Sequence, residues 1–196
     1  KVFFCDEDIT RLPIHKRVKK GICRSFQIMN IFPKLTIFEN LQIPILSLMN
    51  RSLSFFKPVY RHTDVNERVE KLLNEIGLTD KKGLPAGTLS HGDQRLLEIG
   101  LAMAPEPKLL FLDEPTAGMN PVERVKILEN IRRLSRERQS TFVIVEHDMD
   151  IVFSLSDRII VLHRGQILAD GKPEEIKQNE DVRKVYLGEE LFWEKI

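Results

Sequence analysis

Between residues 65 and 76 the apolar side chains fall at Val65, Val69, Leu72, Leu73 and Ile76. This spacing of i, i+4, i+7, i+8 and i+11 gathers them on one face of a helix, and Gly77 stands where that helix should stop. After a turn-rich stretch at 81–88 the pattern alternates between the two periods. It predicts helix over 90–104, strand over 108–113, helix over 121–138, strand over 141–146, a short helix over 149–156 and strand over 158–162. Apolar strands separated by helices are the pattern of parallel βαβ units, an α/β fold with helices on both sheet faces. Ligands of such sheets bind beyond the carboxyl ends of the strands.

The first third of the chain is less regular. Val2, Phe3 and Phe4 read as a strand already in progress, followed by a polar turn at Asp6, Glu7 and Asp8. With no turn or cap ahead of it, the chain is expected to begin inside a domain. Residues 9–20 are locally basic, but no aromatics interleave the charges of 15–20, so the segment reads as a solvated helix face and not as a nucleic-acid surface. A short strand is expected over 21–27, ending at Gln27. Residues 28–62, punctuated by Pro33, Pro44 and Pro58, read as helices and loops outside the main sheet. At the other end, 165–171 read as a turn and short strand, 173–178 as a helix begun by Pro173, and the tail closes with Leu191, Phe192 and Trp193.

Composition adds only limits. The 196 residues hold 30 Lys and Arg against 29 Asp and Glu, so overall charge argues for neither nucleic acid nor an anionic surface. Cys5 and Cys23 are too few for a disulfide scaffold and read as free thiols. The apolar runs, such as 109–112, are too short to span a bilayer.

The chemistry concentrates at two strand ends and one helix start. The run Leu109 to Leu112 delivers Asp113 and Glu114 to its tip, where Pro115 stops it. Asp113 is placed to hold a hydrated Mg²⁺, and Glu114 to polarise a water attacking a γ-phosphate. The plain alternative is a buried strand ending in a solvated acidic turn. The strand at 141–146 leads to His147, either a structural hydrogen-bonder or, beside Glu114, a donor to that phosphate. Gln27 is either a polar strand end or a second Mg²⁺ ligand. In "LSHGDQR", Ser90 and Gly92 open a helix: this is an ordinary N-cap or an anion site of hydroxyl and backbone N–H groups.

A phosphate loop, Gly-x-x-x-x-Gly-Lys-Ser/Thr, is absent from these residues. Gly87 and Gly92 have the spacing, but Asp93 and Gln94 follow; Gly171-Lys172 precedes Pro173 and has no glycine five residues upstream.

In order, Gln27, "LSHGD", "LLFLDEP", "AGMN" and "VEHD" resemble the Q-loop, signature loop, Walker B strand, D-loop and switch histidine of the ATP-binding subunits of ABC transporters. Finer stretches, "RSFQIMNIFPKLTIFENL", "AGMNPVE", "VEHDMDIV" and "VYLGEE", are similar to the branched-chain amino acid import branch. The His of "LSHG" is shared with urea-import relatives.

The resemblance implies an α/β P-loop NTPase (RecA-like) core with a parallel sheet over 1–27 and 102–196, and a helical subdomain with the signature loop over 28–101. It implies ATP and Mg²⁺ as cofactors and ATP hydrolysis as the activity. Glu114 and His147 would be catalytic, Asp113 and Gln27 would bind Mg²⁺, and Gly118 and Asn120 would lie in the D-loop. Ser90 and Gly92 would touch a nucleotide held by a second ATPase subunit. Partners would be that subunit and transmembrane permease subunits, with no nucleic acid, on the cytoplasmic face of the cell membrane.

The resemblance begins just after a Walker A loop would lie, so the chain is expected to be N-terminally truncated, a fragment or a natural pseudo-subunit, and inactive alone. His91 and Asp93 depart from the usual Gly and Gln, and Asp93 would repel phosphate unless turned away. Alternatives are an importer of urea or of another amide or amino acid, or a non-transport ABC ATPase.

Overall fold

A computed structural model describes residues 1–25, 31–49, 63–138 and 140–186, in two compact units, 1–145 and 146–196. The first opens with a hairpin of β1 (Phe3–Phe4) and β2 (Glu7–Asp8). The polar turn lies earlier than the sequence suggested. Cys5 and Asp6 both take positive φ, +48° and +63°, and Glu7 and Asp8 fold back as the second strand, pairing Phe4 with Glu7. A tight left-handed turn matches strand twist, and exposed strand positions tolerate acids. The basic segment contains helix α1 (Ile14–Lys20), with no buried residue.

Strands β3 (Ile22–Arg24), β4 (Leu109–Asp113) and β5 (Thr141–Val145) form a parallel sheet in the order β3-β4-β5, as the βαβ pattern predicts. The register places Phe111 beside Arg24 and Asp113 beside Val145. Leu110 and Leu112 are fully buried. The expected strand at 21–27 is three residues long, extended by a 2.9 Å bond from the Ser25 N–H to the Phe111 carbonyl. Gln27 lies outside the described residues.

Helices α2 (Ile37–Leu48), α3 (Thr63–Ile76) and α4 (His91–Met103) pack on one another. Thr36 caps α2 in a reciprocal box with Glu39. The predicted stripe on α3 is the buried one: Val65, Val69, Leu72, Leu73 and Ile76 are all inaccessible or nearly so. Gly77 ends that helix with φ +71°. The helices come close because Gly100 has no side chain; a Cβ there would lie 2.8 Å from Ile76 Cδ1 and 3.2 Å from Leu41 Cδ2. Helix α5 (Pro121–Glu137) follows β4 and turns Ile127, Ile131 and Leu134 inward.

The second unit holds α6 (Met149–Leu155), β6 (Ile159–His163), β7 (Gln166–Gly171), α7 (Pro173–Gln178) and α8 (Glu180–Tyr186). β6 pairs antiparallel with β7, a hairpin formed by the turn and short strand expected over 165–171. Arg164 and Gly165, at φ +48° and +79°, make a two-residue turn, too short for any parallel crossover. Ile159, Val161, Ile176 and Val182 form its core. The tail with Leu191, Phe192 and Trp193 lies outside the described residues. Among the described residues no helix is long and apolar enough to cross a membrane.

Candidate functional site

Asp113 is the last residue of β4, and Glu114 follows in a left-handed backbone conformation, φ +43°. The Glu114 N–H donates to the Val145 carbonyl at 3.0 Å, continuing the β4–β5 ladder one step past the strand. The Asp113 carboxylate accepts a 2.7 Å bond from Arg24 on the neighbouring strand β3. Pro115 can donate nothing, so the chain leaves the sheet here.

The carbonyls of this turn do not face solvent unsatisfied. Arg95 of α4 donates from Nη2 to the carbonyls of Asp113 (2.7 Å) and Glu114 (3.1 Å), and from Nε to that of Pro115 (3.1 Å). Its Nη1 pairs with Glu98, and the two side chains are only 6% and 5% exposed. A buried charge needs such a partner.

Helix α4 begins at the motif residues. Ser90 is its N-cap, with Oγ accepting from the Asp93 N–H at 3.2 Å, so the ordinary capping role is present. Ser90 and His91 are exposed, whereas Gly92 is buried under Glu123 of α5. Asp93 does not project as an exposed anion. Its carboxylate is buried and bound by Lys81 and, at 2.8 Å, by Lys126. Burial by itself raises the Asp93 pKa, but the bonds and charges of Lys126 and Lys81 outweigh it and hold the carboxyl below its usual range.

The loop between β4 and α5 carries Gly118 at φ +72°, where a Cβ would stand 3.9 Å from His91 Cε1. Asn120 caps α5, accepting from the N–H groups of Val122 and Glu123, each at 3.0 Å. The structure thus brings Ser90, Gly92, Gly118, Asn120, Asp113 and Glu114 onto neighbouring parts of one unit. His147 is exposed at a bend in the second unit, just before Asp148 caps α6. Cys5 and Cys23 are free thiols, the latter buried and its pKa pushed up to about 11 by that burial.

Sequence reasoning missed Arg95, Arg24, Glu123 and the lysine pair. One signal was available for Arg95. In "RLLEI" an Arg and a Glu three residues apart sit among leucines, a spacing that pairs them on one helix face.

A parallel sheet whose acidic strand tip is gripped by the helix of a Ser-x-Gly loop defines an α/β core of the P-loop NTPase type. Residues 1–117 match the family model described as ABC transporter, and 166–191 match that for branched-chain amino acid ATP-binding cassette transporters. The chain belongs to the ABC transporter family, as an ATP-binding member. It is 42% identical over 188 residues to the high-affinity branched-chain amino acid transport ATP-binding protein BraF of Pseudomonas aeruginosa, covering 93% of this chain and 74% of that protein. The corresponding LivG of Escherichia coli is 37% identical, with 94% and 74% covered. LptB of Acidithiobacillus ferridurans, a lipopolysaccharide export system ATP-binding protein, is 33% identical, with 97% and 74% covered. Among solved structures, MJ1267, an ATP-binding cassette of an ABC transporter, superposes with a TM-score of 0.78 at 32% identity, covering 95% of this chain and 76% of that one.

Proposed function

We propose that the chain is the ATP-hydrolysing subunit of an importer for branched-chain amino acids. It works as one of a pair of ATPase subunits, docked on transmembrane permease subunits at the cytoplasmic face of the cell membrane. The observation that carries this reading is the acidic tip, Asp113 and Glu114, bound through Arg95 to the helix that starts at Ser90 and Gly92.

In this reading Glu114 accepts a proton from a water whose oxygen attacks the γ-phosphorus of ATP. The bond to the bridging oxygen breaks, and ADP and phosphate leave. His147 donates a hydrogen bond to the γ-phosphate. Asp113 suits Mg²⁺, which keeps most of its waters and takes one or two carboxylates, and Gln27 would complete the set. When bound, that ion neutralises charge on the phosphates. Ser90 and Gly92 act on the nucleotide of the other subunit, with Gly118 and Asn120 at the junction. Residues 28–101, as a helical subdomain, transmit closure to the permease, while 1–27 and 102–196 form the core.

The cargo assignment is supported by the match over 166–191 and by the names of BraF and LivG. Uptake of labelled leucine against urea by the complete assembly separates the two importer readings. In that assembly Glu114→Gln should nearly abolish turnover while ATP still drives the subunits together; turnover at the wild-type rate would remove Glu114 from its role. The 196 residues contain no Gly-x-x-x-x-Gly-Lys-Ser/Thr, so by themselves they should bind MgATP more weakly than micromolar in calorimetry.

A further inference from the structure

The three carbonyls bound by Arg95 are consecutive, and their order has a geometric meaning. The Asp113 carbonyl belongs to the peptide plane that precedes Glu114; the Glu114 carbonyl belongs to the plane that follows it. Arg95 Nη2 holds both, at 2.7 and 3.1 Å, and Nε holds the next, at 3.1 Å. Fixing the planes on either side of a residue fixes its φ and ψ, the only soft backbone dihedrals it has. The preceding plane is pinned a second time, by the Glu114 N–H on the Val145 carbonyl.

Glu114 needs such restraint, because it sits at φ +43°, a region that L side chains other than Asn and Asp rarely enter. Strain of this kind persists only where the surroundings over-determine it. The planar, five-donor guanidinium can reach three carbonyls at once while Glu98 balances its buried charge; an ammonium of similar reach cannot supply that fork.

We infer that Arg95 is a positioning residue for hydrolysis: it locks the Glu114 backbone in the left-handed conformation that aims the carboxylate. The inference rests on the proposed role of Glu114 and adds a consequence. Arg95 lies five residues after Ser90 on the same helix. The loop offered to a partner's nucleotide and the carboxylate serving the chain's own are therefore joined through one rigid side chain.

The test is Arg95→Lys in the complete ATP-hydrolysing assembly. Lysine keeps the charge for Glu98 but not the fork. The expected result is a fall in kcat of at least about tenfold, since small misplacements of a reacting group are that expensive. KM for ATP should be unchanged, because the buried guanidinium is committed to the backbone carbonyls of 113–115 and to Glu98. On a Glu114→Gln background Arg95→Lys should lower kcat no further, whereas general damage to the fold would add its own loss.

A second readout is amide hydrogen exchange in the chain itself. The Glu114 N–H should lose protection in Arg95→Lys while the amides of α4 keep theirs. Wild-type kcat together with unchanged Glu114 exchange would overturn the inference and leave the catalytic reading intact. Undiminished turnover in Glu114→Gln alone would overturn both. If Arg95→Lys does not fold, Arg95→Gln with Glu98→Gln takes its place, because that pair buries no charge and still lacks the fork.

Discussion

The amide of Gly92 donates to Glu123 Oε1 at 3.3 Å, so a carboxylate of α5 already occupies the N–H that a phosphate would need. Gly92 is helical and nothing in its backbone requires glycine, although Glu123 approaches it closely. A Cβ on Gly92 would stand 3.1 Å from Glu123 Cγ and 3.3 Å from its Cβ.

Gly92→Ala should therefore separate folding from function. Alanine is favoured over glycine in a helix by up to about 1 kcal/mol, and Glu123 can swing aside, so thermal stability should stay within a few degrees of wild type. In the assembly, hydrolysis at the partner's nucleotide should fall at least about tenfold, because the added methyl blocks the backbone approach. Loss of stability without loss of hydrolysis would assign the glycine to packing alone.

Asp93 gives a pH dependence of defined sign. Its folded pKa is depressed, so the stability it contributes is full above the ordinary carboxylate value and disappears as pH falls through the lower, folded one. Asp93→Asn should cost roughly 1.5–3 kcal/mol at neutral pH, the range for a hydrogen bond to a charged group. It should also flatten the acid limb of the stability curve below about pH 4. Urea denaturation from pH 3 to 7 checks both; an unchanged acid limb in Asp93→Asn would place the titration elsewhere.

Arg24 shares the Asp113 carboxylate with any cation that binds there. The pair is partly exposed, with side-chain exposures of 58% and 24%, so it is worth at most about 1 kcal/mol. Arg24→Ala should then tighten Mn²⁺ binding by about two- to fivefold, read from the free-ion signal in electron paramagnetic resonance. Asp113→Asn should remove that binding. An Arg24→Ala chain with weaker Mn²⁺ binding would mean that the guanidinium orients the carboxylate and does not compete for it.

These residues also mark what could be read from the chain alone. The α3 stripe and the acidic end of β4 were legible because periodicity and a strand stop are local properties of the sequence. The grip of Arg95 on the strand tip was not, since its acceptors are backbone carbonyls 18 to 20 residues away and a carbonyl leaves no trace in residue identity. The Arg24–Asp113 pair spans 89 residues and depends on the register of β3 against β4, which no local pattern fixes. The turn into β7 was legible from Gly165, but Arg164, a residue without turn character, also takes positive φ there. Asp93 looked like a defect in an anion site until Lys81 and Lys126, from segments on either side, supplied its counter-charges.

The left-handed backbone at Glu114 can be tested without any activity. Comparing Glu114→Gly with Glu114→Ala removes the side chain in both cases, so every contact of the carboxylate cancels and only the backbone difference remains. At ordinary positions alanine is the more stable of the two, because glycine loses more conformational freedom on folding, by roughly 0.5–1 kcal/mol. At φ +43° the order should reverse, since a Cβ in the left-handed region costs about 1–2 kcal/mol and glycine is exempt. Glu114→Gly should thus be the more stable variant by about 0.5–1 kcal/mol in urea denaturation. The same comparison made with Lys at position 95 should revert toward the ordinary order. Released from Arg95, the alanine variant can relax to negative φ, and glycine loses its advantage. Reversal in the wild-type background and its disappearance in Arg95→Lys would tie the strain at Glu114 to the guanidinium that holds it.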